Sequence, residues 1–443
     1  MIAPHRRREI IDALRRGTVP QRGLDAFAVG TDRFAAAFTD ELAVVAAGGA
    51  GFKAIRGEYG SGKTFVARWL AERARTNGFA TAEVQVSEGE TPLHHLETVY
   101  RRLCERLTTA EAPPGGALRA VVDSWFFALH EDVLAVGGID GADLEAVLAA
   151  TEALAEQRLG AVADRAPALA AVLRGYRRAL AQGDEARAEG FLAWLGGQPH
   201  VAAAIKRSAG IRGDLDHDGA LAFLTGLLAI LRGACYAGLV VILDEVETLQ
   251  RVRSDARDRA LNALRQLIDE VDQGRFTGMY LVITGTPAFF DGPQGAPRLA
   301  PLAQRLHTDF TTEARFDNPR AVQLRLAGFT VDGLCEVGRR VRDLYAAGAD
   351  EPERVRARCD DDYVEVLARA VTGDLGGKVG IAPRVFLKKL VGDVLDRVDQ
   401  FGEFDPRRDY RLTIVQGELT EVERNARAAT SVEDIELDLG ARE

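Results

Sequence analysis

Two patterns of hydrophobic and polar positions occur in turn along the chain, one typical of β-strands and one typical of α-helices. Continuous or alternating apolar runs predict strands at 52–56, 81–86, 238–243, 279–284 and 310–316. Helical spacing of apolar residues predicts helices at 5–16, 32–47, 65–75, 92–107, 216–236 and 255–271. The run at 238–243 has no polar interruption, which is typical of a central parallel strand covered on both faces. The pattern therefore predicts an α/β fold built on a parallel sheet.

The character of the sequence divides the chain into four parts. Residues 115–210 are rich in Ala, Leu, Arg and Glu, and they predict an all-helical insertion of four or five helices. We expect an N-terminal helical segment at 1–50 and a sheet-bearing core at 51–318 that contains the insertion. Beyond the core we expect a helical lid at 319–400 and a polar, acidic tail at 401–443.

Charge and cysteine content exclude several classes of protein. The 56 basic and 66 acidic residues give a net charge of −10, so any contact with DNA requires a local basic patch. One candidate patch lies near the N-terminus, although a solvated helix face is the favoured explanation for it: Arg6, Arg7, Arg8, Arg15 and Arg16. The four cysteines are far apart and favour neither a disulfide framework nor a zinc ribbon. Without a signal peptide or a membrane-spanning run, a cytoplasmic protein is expected.

One loop carries the most specific motif of the chain. Between a predicted strand and a predicted helix, residues 57–64 fit G-x-x-x-x-G-K-[ST] in full. In such a loop the backbone N–H groups cradle phosphates, the lysine reaches the β- and γ-phosphates, and the Thr64 hydroxyl occupies a Mg²⁺ position. The motif predicts binding of ATP and Mg²⁺ by Gly57, Glu58, Tyr59, Gly60, Ser61, Gly62, Lys63, Thr64 and Phe65.

Acidic residues follow the uninterrupted apolar strand. Asp244 and Glu245 stand where the carboxyl ends of parallel strands collect ligands. We assign Asp244 to Mg²⁺, through water, and Glu245 to the general base that activates the attacking water. Glu247 is a second candidate for the general base. The alternative to a catalytic role is that Asp244 and Glu245 only cap the N-terminus of the next helix.

Three further positions are candidates for sensing or stabilising the transferred phosphate. Thr286, or as second choice Thr284, ends the next buried strand and would orient the attacking water. Arg305 would act as an arginine finger on a neighbouring subunit, and Arg384 would fold back from a late helix onto the bound phosphates. Ordinary turn threonines and solvated arginines are the competing explanations.

Taken together, these motifs resemble the AAA+ ATPases of the origin-recognition type. Within that class, residues 8–20, 29–30, 53–65 and 90–93 resemble the BrxD family of ATP-binding proteins from BREX phage-resistance systems. The resemblance implies a bacterial defence ATPase that acts with other BREX components on DNA. An arginine finger would further imply a homo-oligomer.

The resulting hypothesis is an ATPase that couples ATP turnover to remodelling of a DNA or protein partner. The alternative is a nucleotide-gated scaffold, or a signalling switch, in which ATP binding orders an interaction surface and turnover is negligible. A Glu245→Gln change distinguishes the two, because only a motor depends on the base.

Overall fold

Five parallel strands form one sheet in the part of the chain that the structure describes. The computed structural model describes residues 2–136, 143–164, 166–211, 213–374 and 382–414. The strands are β1 (Gly51–Arg56), β2 (Ala80–Gln85), β3 (Leu239–Asp244), β4 (Met279–Gly285) and β5 (Gln323–Arg325). Their order across the sheet is β2-β3-β4-β1-β5, and every neighbouring pair is parallel. The α/β class and the parallel sheet predicted from the sequence are confirmed.

The helices alternate with the strands and extend well beyond the sheet. The first four are α1 (Pro4–Arg15), α2 (Asp32–Ala46), α3 (Lys63–Thr76) and α4 (Leu96–Arg106). The predicted insertion contains α5 (Ala117–Val136), α6 (Leu144–Ala163), α7 (Pro167–Ala181), α8 (Glu185–Leu195) and α9 (Ala203–Ser208). The core resumes with α10 (His217–Gly233), α11 (Ser254–Asp272), α12 (Pro287–Asp291) and α13 (Ala300–Leu306). None of the described helices is long and apolar enough to cross a membrane.

The C-terminal region forms a helical bundle, which we call the C-terminal bundle. Its helices are α14 (Val331–Ala346), α15 (Pro352–Arg358), α16 (Asp361–Asp374), α17 (Ala382–Lys388), α18 (Asp396–Gln400) and α19 (Pro406–Asp409). A π-helical stretch, Lys389–Leu395, joins α17 to α18. The acidic end of the predicted tail lies outside the described residues.

Each face of the sheet supports its own hydrophobic core. Val241 and Leu243 of β3 pack with α4, the insertion, α10 and α11. The alternating residues Val240 and Ile242 pack on the other face with α1, α2, α3 and the C-terminal bundle. Side chains alternate across a strand, so a strand covered on both faces must be apolar at every position. This requirement explains the uninterrupted run that β3 shows in the sequence.

Two of the N-terminal arginines attach α1 to the rest of the molecule. Arg15 makes a two-point ion pair with Asp396 of α18, at 2.6 and 2.8 Å, and Arg7 donates to the carbonyl of Ala347. On the inner side of α1, Ile10 and Leu14 are buried in the core shared with the C-terminal bundle. Bidentate pairs of this kind fix orientation as well as adding stability. Arg7 and Arg15 therefore have a packing role.

The last strand lies elsewhere than the sequence pattern predicts. The prediction of a strand at 310–316 is wrong, since this segment ends in a 3₁₀ turn, Ala314–Phe316, and Phe316 is 66% exposed. The fifth strand is β5, which pairs with β1 through Ala54 and Gln323. Strand β5 has three residues, and its first and last residues are polar. It is therefore too short to show the two-residue hydrophobic alternation by which a strand is recognised in a sequence. The sheet therefore continues past residue 318, where we placed the end of the core.

Candidate functional site

A cavity of about 740 Å³ opens at the carboxyl edge of the sheet. The loop between β1 and α3 forms one wall, and residues 17–34, which we call the N-terminal strap, form the second. Residues 326–337 and α17 form the third wall. The lining combines apolar side chains, among them Val29, Phe34, Phe65, Phe329 and Leu387, with polar ones that include Lys63, Thr64, Glu245 and Glu247. A cavity of this size with a few convergent polar groups suits a small organic ligand such as a nucleotide.

The loop between β1 and α3 requires glycine at several positions. Gly60 has φ +78° and Gly62 has φ +92°, in the left-handed region that residues with a Cβ rarely adopt. A Cβ on Gly57 would lie 2.3 Å from the Ser61 hydroxyl oxygen. The loop leads into Lys63, the first residue of the 14-residue helix α3. Since backbone N–H groups at a helix start attract anions, the loop and the start of α3 are suited to an anion.

The Lys63 side chain is buried and folded back over its own loop. Its Nζ atom donates to the carbonyl oxygens of Gly57 at 2.9 Å and Glu58 at 3.2 Å. The same atom lies 5.0 Å from the centre of the Tyr59 ring. These contacts hold a positive charge in the lining of the cavity, within reach of an anion bound to the loop.

A chain of hydrogen bonds connects α3, β3 and β4 beside the loop. Thr64 Oγ1 donates to one carboxylate oxygen of Asp244 at 3.0 Å, and the buried Thr284 hydroxyl donates to the other. The backbone N–H of Glu245 in turn donates to Thr284 Oγ1 at 3.1 Å. Asp244 is 5% exposed. This chain fixes the Asp244 carboxylate next to the Thr64 hydroxyl.

The Thr64 and Asp244 oxygens fit a Mg²⁺ ion that is bound together with phosphate. Mg²⁺ uses one or two carboxylates and completes its shell with waters and substrate oxygens. In the described part of the chain, no group of three or more His, Cys, Asp or Glu side chains is placed to hold a metal on its own. The buried Ser61 hydroxyl on the same loop has no hydrogen-bond partner among the described residues, as expected where a ligand supplies one.

The backbone turns sharply at the end of β3. Glu245 has φ +61° and ψ +46°, a left-handed conformation that costs a non-glycine residue on the order of 1 kcal/mol or more. Its carboxylate accepts a hydrogen bond from Gln85 Nε2 at 2.8 Å and lines the cavity. Strained residues of this kind persist where the surrounding structure holds them and are concentrated at functional sites.

Glu247 lies in the same turn but contacts the phosphate loop. It is 4% exposed, and its Oε1 atom lies 3.7 Å from Lys63 Nζ. Burial raises the pKa of this carboxyl, and the Lys63 ammonium opposes the rise. The turn therefore directs two acids to different neighbours, Glu245 to Gln85 and Glu247 to Lys63.

The family model described as BREX system ATP-binding protein BrxC/D matches residues 2–414. The chain belongs to this family. The match covers nearly the whole chain and does not distinguish BrxC from BrxD. No curated protein and no solved structure matches the chain. Membership confirms the resemblance to BREX ATP-binding proteins at the level of the family, and it associates the chain with ATP binding and phage defence.

The two candidate threonines of this BREX family member occupy different surroundings. Thr284 contacts Asp244 because β3 and β4 are paired in parallel with Leu243 beside Ile283. The residues that follow, Asp244 and Thr284, therefore also lie side by side. Thr286, our first choice from the sequence, is buried at the start of α12 and is not among the described residues that line the cavity. The geometry thus favours the second choice.

The two candidate arginines also differ in position. Arg305 on α13 pairs with Asp269 of α11 and donates to the carbonyl of Pro301 at 2.9 Å. It does not belong to the described lining of the cavity in its own chain. Arg384 lies on α17 and lines the cavity next to Pro383. Part of the motif that precedes Arg384, residues 380–381, lies outside the described residues.

Several cavity residues are missed by motif reasoning. The N-terminal strap contributes Val19, Pro20 and Phe27, and the turn after β3 contributes Arg251, which lies opposite Tyr59. The strap contains no motif of its own, and its position follows from packing between distant segments. The available signal is the family likeness at residues 8–20 and 29–30, since residues 17–20 and both residues 29 and 30 line the cavity.

For an ATPase built on this site, replacing Thr284 with Val is expected to lower ATP hydrolysis about tenfold or more. The change removes a hydrogen bond to Asp244 and leaves the Glu245 N–H without its acceptor, and losses of this kind cost about 1–3 kcal/mol. Steady-state hydrolysis and thermal unfolding measure the effect. The matched control is Thr286→Val, for which we expect a change of less than about threefold. Equal losses in both variants would contradict the assignment.

Proposed function

We propose that this chain is a P-loop ATPase of the AAA+ type that hydrolyses ATP in phage defence. The observation that carries the proposal is that Lys63, Thr64 and Glu245 line one nucleotide-sized cavity and that Thr64 donates a hydrogen bond to Asp244. The ATP-binding description of the family supports the choice of nucleotide. The parallel sheet and the C-terminal bundle beside the cavity support the AAA+ arrangement, with the bundle as its lid.

The phosphates bind at the start of α3. The backbone N–H groups of residues 60–64 and the Lys63 ammonium hold the β- and γ-phosphates. Thr64 and Asp244 would hold Mg²⁺. When it is bound, this ion would neutralise part of the negative charge on the phosphates. Thr284 keeps the Asp244 carboxylate in place by donating to it.

Hydrolysis transfers the γ-phosphoryl group to water. The water oxygen bonds to the γ-phosphorus while the bond to the β,γ-bridging oxygen breaks, so that ADP leaves. Glu245 accepts the proton that the water loses. The Glu245 backbone N–H donates to Thr284, and Thr284 donates to Asp244. These two hydrogen bonds fix the position of the base relative to the metal ligand.

The base of the nucleotide packs against apolar side chains of the cavity. Val29 and Phe34 from the strap and Leu387 from α17 are among the apolar lining residues. Arg384, on the same helix as Leu387, reaches the phosphates and reports whether they are present. Arg305 acts as a finger only on a second copy of the chain, so full activity requires a homo-oligomer.

The partner of the ATPase is DNA or another BREX component, which turnover remodels. Family membership supports BREX components as partners. DNA contact, if direct, uses local basic surface, because the net charge of −10 excludes attraction by the protein as a whole.

The decisive experiment is steady-state ATP hydrolysis by the purified protein, with and without duplex DNA and with and without EDTA. We expect turnover that EDTA abolishes and DNA increases. Tight ATP binding in calorimetry without turnover would contradict an autonomous motor and favour the nucleotide-gated scaffold or switch. Absence of ATP binding would contradict the proposed function itself.

A further inference from the structure

Glu247 is a buried acid in surroundings that do not solvate it. It is the second residue of the 3₁₀ turn Val246–Gln250, and its neighbours Val246 and Leu249 are 0% and 3% exposed. Neither carboxylate oxygen has a hydrogen-bond partner on another residue that the structure describes, and the backbone N–H that interacts with the carboxylate is that of Glu247 itself. Buried carboxylates in a stable structure normally receive hydrogen bonds, so a purely structural role does not account for this one.

The charge nearest to Glu247 is the ammonium of Lys63, at 3.7 Å. This separation is too long for a hydrogen bond but close enough for a strong attraction at a site from which water is largely excluded. The ammonium already donates to the Gly57 and Glu58 carbonyls. Lys63 is therefore held from two sides, by its own loop and by the carboxylate.

A nucleotide must change this arrangement when it binds. The β-phosphate competes with the loop carbonyls and with Glu247 for the same ammonium. It also brings negative charge towards three acids in succession, Asp244, Glu245 and Glu247, of which only Asp244 would hold Mg²⁺. The carboxylate of Glu247 therefore favours the nucleotide-free site over the occupied one.

We propose that Glu247 is a positioning residue that holds Lys63 in the nucleotide-free site and thereby weakens the binding of nucleotide phosphates. The role rests on the proposed function of the loop, and it acts through Lys63 rather than on the reacting atoms. Its consequence is faster release of the diphosphate product than the loop and lysine alone would permit.

The test is the dissociation constant of ADP, measured by titration calorimetry on the full chain without Mg²⁺. Glu247→Gln keeps the side-chain volume and removes the charge, and we expect ADP to bind about tenfold more tightly, equivalent to about 1.4 kcal/mol. Glu247→Met, which is apolar and of similar length, is expected to give the same gain. The matched control is Glu90→Gln, which removes an exposed charge near the carboxyl end of β2 and is expected to leave the constant unchanged.

A second ligand separates this role from a change in cavity shape. AMP lacks the β-phosphate that Lys63 reaches, so both Glu247 variants are expected to bind AMP as the wild type does. An equal gain for AMP and ADP would overturn the inference, as would unchanged or weaker ADP binding by variants that unfold at the wild-type temperature. If the wild type binds no ADP, the proposed function fails instead, so the two failures are distinguishable.

Discussion

Glu245→Gln is expected to lower the rate of ATP hydrolysis at least a hundredfold while ATP remains bound. General bases contribute on the order of 10²–10⁴ in rate, and an amide cannot accept the proton of the attacking water. The substitution preserves size, and the hydrogen bond from the Glu245 backbone to Thr284 does not depend on the side chain. Steady-state hydrolysis combined with calorimetric ATP binding measures both quantities.

The control for this variant is again Glu90→Gln, which should hydrolyse ATP at the wild-type rate. Loss of turnover in Glu247→Gln but not in Glu245→Gln would make Glu247 the base and contradict our assignment. Full biological function of Glu245→Gln in phage defence would instead favour the scaffold, since a scaffold requires binding without turnover. These results differ from one another, so the experiment decides whether Glu245 is the base, Glu247 is the base, or turnover is not needed for function.

Lys63→Ala is expected to weaken ATP and ADP binding about a hundredfold and to abolish measurable turnover. Hydrogen bonds from a charged donor contribute about 1.5–3 kcal/mol, and a hundredfold loss corresponds to about 2.7 kcal/mol. The variant also leaves the Gly57 and Glu58 carbonyls without their donor and Glu247 without its nearest cation. Titration calorimetry and thermal unfolding distinguish lost binding from lost folding.

A suitable control for the charge change is Lys206→Ala. Lys206 lies on α9 in the insertion and pairs with Asp214, far along the chain from the phosphate loop. We expect it to bind and hydrolyse ATP normally. Near-normal ATP affinity in Lys63→Ala would contradict the placement of the phosphates on the loop.

The parts of the site that sequence reasoning identifies are those set by local chemistry. The loop at 57–64 has a spacing of Gly, Lys and Thr that is specific to phosphate-binding loops. Strand β3 has an uninterrupted apolar run, which is typical of a strand covered on both faces of the sheet. Likewise, the helices of the insertion follow from composition and period alone. Such features depend on neighbours within one segment, so one sequence is enough to find them.

What the sequence does not reveal depends on segments that meet only in the folded chain. The strap lines the cavity because α1 packs on the C-terminal bundle, and no local pattern encodes that contact. The direction of Glu247 depends on the left-handed turn at Glu245, which is unusual for a residue other than glycine. The short strand β5 is defined by its pairing with β1 rather than by its own composition.

The pairing of Arg15 with Asp396 has a consequence for how the molecule is made. The two residues are 381 positions apart, so at 5–20 residues per second α1 leaves the ribosome roughly 20 to 75 s before its partner exists. During that interval Ile10 and Leu14 lack the surface that buries them in the finished protein. The walls of the cavity can therefore close only after the C-terminal bundle has been synthesised, and a nucleotide can contact all of them only from then on.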